Sequence, residues 1–136
     1  MAAAGYSGTP LVQKLGLKAG MRSWFMEIPD TVRATIERDA PPIRRLESPE
    51  PPVDFAHIFV TSCAVLDCEL RMLLPLIARD GMIWVSWPKK ASKVATDITE
   101  DVIRAIALPL GLVDVKVCAV DDIWSGLKLV IRRELR

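Results

Sequence analysis

Gly81-Met82-Ile83-Trp84-Val85-Ser86-Trp87-Pro88-Lys89-Lys90 is an apolar run that passes directly into hydroxyl, indole and ammonium groups. β-Branched and aromatic side chains suit a packed, pleated surface, and Pro88 withdraws an N–H from any ladder, so a strand is expected to end there. The stretch predicts a buried strand whose carboxyl end opens onto polar groups, which is where open α/β sheets place their ligands.

On the upstream side, Phe55-Ala56-His57-Ile58-Phe59-Val60-Thr61 predicts a second apolar strand. Val65 to Ala78 then carries Leu66, Leu70, Leu73, Leu74 and Ile77 at helical spacing, with Pro75 predicting a kink or break. On the downstream side, Asp97 and Glu100 are spaced as a capping box. Val102, Ile103, Ile106, Ala107 and Leu110 form one apolar helical face, and Gly111 supplies the stop. Val113, Val115 and Val117 alternate with Asp114, Lys116 and Cys118, and a turn region around Asp121 to Gly126 leads to Leu127-Lys128-Leu129-Val130-Ile131, which predicts a β-hairpin.

Nearer the N-terminus, Arg22 to Ile28 reads as a strand ended by Pro29-Asp30, with Asp30 as the N-cap of a helix over Thr31 to Arg38 that Pro41-Pro42 stops. Ile43 to Glu47 predicts a short edge strand and Ser48 to Pro52 a stiff loop. Residues 1–20 form a lead-in segment, with a helical turn or two over Leu11 to Leu15 before Gly16 and Gly20. Strands alternating with helices across short connections imply a mainly parallel sheet covered by helices, closed by the terminal antiparallel hairpin.

The chain of 136 residues, 51% of them hydrophobic, has the length of a single α/β domain, residues 1–136, with a real core. Lysine and arginine (18) nearly cancel aspartate and glutamate (17), leaving a formal charge of +1, so no overall field favours nucleic acid or an anionic membrane, and any anion site is local. No apolar run approaches the roughly 20 residues of a spanning helix, and Met1 to Gly5 has neither a basic region nor a long apolar core, which gives a cytoplasmic expectation. Cys63, Cys68 and Cys118 suit reduced thiols. With His57 the only histidine and no C-x-x-C pair, no metal site is expected.

The order of elements, with an antiparallel hairpin after the last helix, resembles the class I S-adenosylmethionine-dependent methyltransferase fold in shortened form. Leu15-Gly16-Leu17-Lys18-Ala19-Gly20 is similar to that superfamily's lead-in, and Leu76 to Met82 to its approach to the fifth strand. A closer resemblance, over most of the chain, is to the bacterial domain-of-unknown-function 3052 family. It rests on Lys14-Leu15-Gly16-Leu17 with Gly20, on Asp80 to Val85 with Pro88-Lys89, and on Trp124-Ser125 with Leu129-Val130. These resemblances imply a Rossmann-like three-layer α/β sandwich. The methyltransferase resemblance also implies a glycine-rich turn after the first strand, where the backbone approaches a nucleoside closely. Glu27 matches the acidic position ending that strand, but Ile28-Pro29-Asp30 stands where the glycines would be and Pro29 lacks an N–H, so S-adenosylmethionine as cofactor is disfavoured. Glu47 follows Glu27 at about the 20-residue interval at which a carboxylate meets a ribose hydroxyl in dinucleotide folds, or else is a solvated loop carboxylate.

The leading candidate site joins Ser86, Trp87, Lys89, Lys90, Ser92 and Lys93 with Trp124 and Ser125 of the hairpin, which should lie beside the strand ending at Val85. Hydroxyl, ammonium and free backbone N–H groups favour phosphate or carboxylate, and an indole can stack on a ring; the plainer alternative is a solvated basic loop over structural tryptophans. Ser86-Trp87-Pro88-Lys89 also fits S-x-x-K, although that chemistry places its serine and lysine one turn apart at a helix start. His57, among apolar strand residues, reads as a satisfied structural histidine, and Thr9, Ser7 and Tyr6 either contact a ligand or dock the tail. No complete catalytic motif is present. The expectation is a non-catalytic or regulatory module binding a small anion or an acidic partner surface. The alternatives are a divergent transferase holding a nucleoside cofactor through Glu27 and Glu47, and a structural homodimer.

Overall fold

The computed structural model describes residues 8–136, so the expectations for Tyr6 and Ser7 lie outside the described residues. Helix α1 (Leu11–Leu15) ends at Gly16, whose φ of 75° lies in the left-handed region. Then follow β1 (Arg22–Met26), α2 (Asp30–Asp39), β2 (Arg44–Arg45), β3 (Val53–Phe59), α3 (Cys63–Leu73), β4 (Ile77–Pro88), α4 (Glu100–Ala107), β5 (Leu112–Ala119) and β6 (Trp124–Ile131). They build one six-stranded sheet in the order β2-β1-β3-β4-β6-β5. Strands β2, β1, β3 and β4 pair in parallel, and β6 runs antiparallel between β4 and β5. The mainly parallel sheet and the terminal hairpin are those the sequence pattern predicts, and the edge strand expected over Ile43 to Glu47 is confined to Arg44–Arg45.

Over Phe55 to Phe59 and Met82 to Trp87, β3 and β4 are apolar apart from His57 and Ser86, because both of their faces are covered there. On one face Ala56, Ile58, Ile83 and Val85 pack with Leu66, Leu70 and Leu73 of α3 and Ile103 of α4. On the other, Phe55, Phe59 and Trp84 pack with Leu11, Leu15, Val32 and Ile36 of α1 and α2. Trp84 is fully buried and its indole Nε1 donates to Leu15 O at 2.8 Å, tying the C-terminal end of α1 to the sheet.

Several local expectations are corrected. Helix α3 starts at Ser62, whose Oγ accepts from Val65 N, and stops before Pro75, so Ile77 opens β4 instead of extending the helical face. Asp97 and Glu100 do not form a capping box. Thr99 is the N-cap of α4 and accepts from Val102 N at 3.2 Å, while Asp97 accepts from Cys63 N at 2.8 Å and so joins the α4 approach to the start of α3. Asp30 is not an N-cap either; Pro29 precedes the first turn, and Asp30 pairs with Arg33 at 3.2 Å.

The valines of β5 do not share a buried face. The ladder shifts register between Asp114 and Lys116, so Asp114 opposes Leu129 and binds Arg104 of α4 at 2.9 Å, whereas Lys116 opposes Lys128. A bulge of this kind inserts one residue and reverses the inside-outside phase beyond it. Val115 and Val117 are accordingly exposed. Among the described residues, no helix is long and apolar enough to cross a membrane.

Candidate functional site

Strand pleating divides the group of residues expected to form one site. Ser86 and Trp87 are neighbours on β4 and therefore point to opposite faces. Trp87 joins the core under α3 and α4. Ser86, fully buried, lies with its Oγ 2.7 Å from His57 Nε2, which is equally buried. Ser92 Oγ donates to Lys89 O at 2.7 Å and accepts from Val94 N at 3.2 Å, so it closes a turn and does not present a free hydroxyl. The expected adjacency of the hairpin holds: Ser86 opposes Gly126, Trp87 opposes Ser125 and Pro88 opposes Trp124. Trp124 is half-buried and stands edge-on to Phe59, with centroids 5.2 Å apart. Lys89 is half-buried, and Lys90 and Lys93 are exposed beyond the end of β4. A cavity of about 190 Å³ beside them is lined by Trp87, Lys90, Thr96, Thr99 and Glu100. Every carboxylate ion pair among the described residues is made by an arginine.

His57 and Ser86 have the atoms of a base and a nucleophile but not their setting. Phe25, Phe55, Phe59 and Trp84 surround the imidazole, with Phe59 stacked on it at 4.3 Å. Burial in this apolar shell pushes the His57 pKa down to about 3, so the ring is neutral at pH 7. Its Nδ1 has no hydrogen-bond partner, which corrects the expectation of a satisfied histidine, and no third group orients the ring as a catalytic triad requires. The S-x-x-K reading fails on the same geometry: Ser86 sits inside a strand against His57, not one helical turn from Lys89.

A nucleoside cofactor fits the first βα connection poorly. Only Glu27, Ile28 and Pro29 separate β1 from α2. No glycine lies there to let a ligand approach the backbone, and Pro29 supplies no N–H. Glu27 is exposed with φ of 56°, a conformation that costs a residue with a Cβ roughly 1–2 kcal/mol. Glu27→Gly should therefore raise the melting temperature, by an increment of about 1 kcal/mol in stability. A lower melting temperature would instead assign the Glu27 carboxylate a role in the fold. Glu47 is exposed on the loop after β2. No group of histidine, cysteine, aspartate or glutamate among the described residues could hold a metal ion.

A different basic cluster lies on the α1 face of the hairpin and went unread in the sequence. Lys14 Nζ donates to Ala119 O at 2.9 Å, and Lys116 Nζ donates to Lys14 O at 3.0 Å. These residues line a cavity of about 510 Å³ with Thr9, Cys118 and Ser125. Lys14 and Lys116 lie 102 positions apart, so no local motif could have announced them. Of the residues singled out in the sequence as possible ligand contacts, Ser125 and Thr9 line this cavity.

No protein-family model matches the chain, and no curated protein matches it. Solved structures do. A methyltransferase from Pyrococcus furiosus superposes with a TM-score of 0.56 at 14% identity, over 95% of this chain and 86% of that one. The ribosomal protein L11 methylase from Lactobacillus delbrueckii subsp. bulgaricus gives 0.56 at 10% identity, over 90% of this chain and 76% of its own. The fold is methyltransferase-like. LepI, solved in complex with SAM, gives 0.53 at 12% identity over 91% of this chain, which spans only 47% of LepI. Identities this low carry the fold alone, since one fold hosts many chemistries.

Proposed function

We propose that this protein is a binding module on a methyltransferase-like fold, which holds a small anion or the acidic surface of a partner at the carboxyl end of β4 and transfers no methyl group. The observation that carries the reading is the connection from β1 to α2. Glu27, Ile28 and Pro29 leave neither a glycine cradle nor a full set of N–H donors for a nucleoside. Lys89, Lys90 and Lys93 follow the end of β4, where Lys90 lines a cavity with Trp87, and suit an anionic group instead, since lysine recognises phosphate and carboxylate as a point charge. The likeness to the domain-of-unknown-function 3052 family belongs to this proposal and brings no activity with it.

The second reading is a divergent transferase with a nucleoside cofactor. It draws support from the sheet order and from neighbours such as LepI, solved with SAM. Calorimetric titration with S-adenosylmethionine and S-adenosylhomocysteine separates the two. No heat is expected with either, and micromolar binding of either would establish the transferase reading. Lys89→Ala with Lys90→Ala is then expected to weaken binding of a hexaglutamate peptide at least fivefold while leaving the melting temperature unchanged. Equal affinity in the double variant would remove the strand-end site.

A further inference from the structure

Arginines take all the carboxylate ion pairs among the described residues, and on the α1 face of the hairpin lysines gather instead. Lys116 and Lys128 are directly opposed across β5 and β6, an arrangement in which like charges destabilise a sheet. The nearest β5 carboxylate, Asp114, lies before the bulge and is held by Arg104 of α4. The Lys128 ammonium is pushed below the ordinary lysine range by burial, with repulsion from Lys116 and Lys18 adding to it. The bulge at Val115 sets this phase: it places Lys116 opposite Lys128, on the face where Lys116 meets α1. The adjoining cavity, about 510 Å³, has the size of a small-molecule pocket and adds the hydroxyls of Thr9 and Ser125. Among the described residues no aromatic ring lines it, and its polar groups are ammonium and hydroxyl.

We propose that the cavity between α1 and the β5–β6 hairpin binds the dianionic phosphate group of a small ligand, with Lys14 and Lys116 lining it, Lys128 and Lys18 adding charge beside it, and Thr9 and Ser125 supplying hydroxyls. A phosphate monoester carries a charge of about −1.5 to −2 at neutral pH, enough to offset the opposed ammonium groups where a single carboxylate offsets one. This site is separate from the lysines after β4 and stands or falls independently of them.

The test uses inorganic phosphate and glycerol 3-phosphate as probes, in calorimetry and thermal melting at constant ionic strength. Both probes are expected to raise the melting temperature of the wild-type protein. Tighter binding of the ester assigns a phosphorylated small molecule, and equal binding assigns free phosphate; either outcome supports the site. Lys116 is exposed, so Lys116→Ala should fold and lose at least tenfold in affinity. Lys128→Ala should melt higher than wild type without any anion, because the like-charge pair is gone, and should gain less from the probes. The Lys89→Ala, Lys90→Ala protein should bind as wild type does. The proposal is overturned if matched chloride reproduces the melting shift, if neither probe binds, or if Lys116→Ala with Lys128→Ala retains wild-type affinity.

Discussion

Trp84→Ala is expected to be the most damaging single substitution in the α1-face core, costing about 3–5 kcal/mol, the range for large-to-small changes at a buried aromatic. Trp84 is fully buried between β3, β6 and α1, and its side chain links its strand to the C-terminal carbonyl of α1 through the 2.8 Å bond to Leu15 O. Gly126 is part of the same fit: a Cβ there would lie 3.1 Å from Trp84 Cε3 and 3.1 Å from Val120 Cγ2, so the indole occupies space that only glycine leaves. With whole domains stable by about 5–15 kcal/mol, the alanine variant should lose roughly a third or more of a typical domain's stability and melt well below the wild type. Urea denaturation of Trp84→Ala and Trp84→Phe resolves the two contributions. Phenylalanine keeps much of the packing and loses the donor, and should cost about 1–3 kcal/mol by leaving the Leu15 carbonyl unsatisfied. Equal midpoints for Trp84→Phe and wild type would show that the hydrogen bond contributes nothing.

Stability is also expected to fall steeply in mild acid, through His57. In the unfolded chain this imidazole takes up a proton near pH 6.5, whereas in the fold burial holds its pKa down to about 3. Below pH 6.5 the unfolded state therefore binds a proton that the folded state refuses. The contribution is fully present above pH 6.5 and is lost as pH falls from there towards 3, by about 4–5 kcal/mol over the whole interval. The carboxyls of Asp97 and Asp114 are also held below their ordinary value, chiefly by hydrogen bonds from Cys63 N and from Arg104. Their contribution is lost only below about pH 4, which leaves the interval from 6.5 to 4 to the histidine. Urea midpoints at pH 8, 6 and 4.5 measure the slope. His57→Phe with Ser86→Ala removes both partners of the 2.7 Å pair from a shell that already contains Phe25, Phe55 and Phe59, so it should fold and show a flat profile across that interval. A double variant with the wild-type slope would mean that another group titrates there.

The fold was legible because its signals are local and repetitive. Phe55 to Thr61 read as an apolar strand and the run from Gly81 as a buried one, and β3 and β4 are buried over Phe55 to Phe59 and Met82 to Trp87. The helical spacing of Leu66, Leu70 and Leu73 survived, because one core receives all of them. Gly111 stopped its segment where expected, with φ of 90°. Cap assignments fared worse, since Thr99 and Asp97 offer similar oxygens and tertiary partners decided between them: Cys63 N claimed Asp97, leaving Thr99 to cap. The alternation of β5 misled for a related reason. A bulge inserts one residue without any compositional mark, and Val115 and Val117 lost their expected face to it.

The candidate site was less legible than the fold. Ser86, Trp87 and Ser92 are adjacent in the chain and serve three separate purposes: a buried pair with His57, a core contact under α3 and α4, and a turn. Proximity in sequence along a strand places neighbours on opposite faces, so a run of suitable residues does not assemble a site. The lysine cavity shows the converse. Lys14, Lys116 and Lys128 belong to three elements, and strand register together with α1 packing brings them to one face.

By itself the sequence determined the order of strands and helices, the mainly parallel sheet with its closing hairpin, and the lack of a glycine turn after β1. Periodicity and turn chemistry act over a few residues and are written wherever those residues stand. Only the tertiary structure decided which face each polar group occupies: that His57 meets Ser86 in a dry interior, that Asp97 spans two helix starts, and that lysines more than a hundred positions apart share a cavity. Register, bulges and the packing of α1 set those meetings, and each depends on contacts between segments that no local stretch of the chain contains.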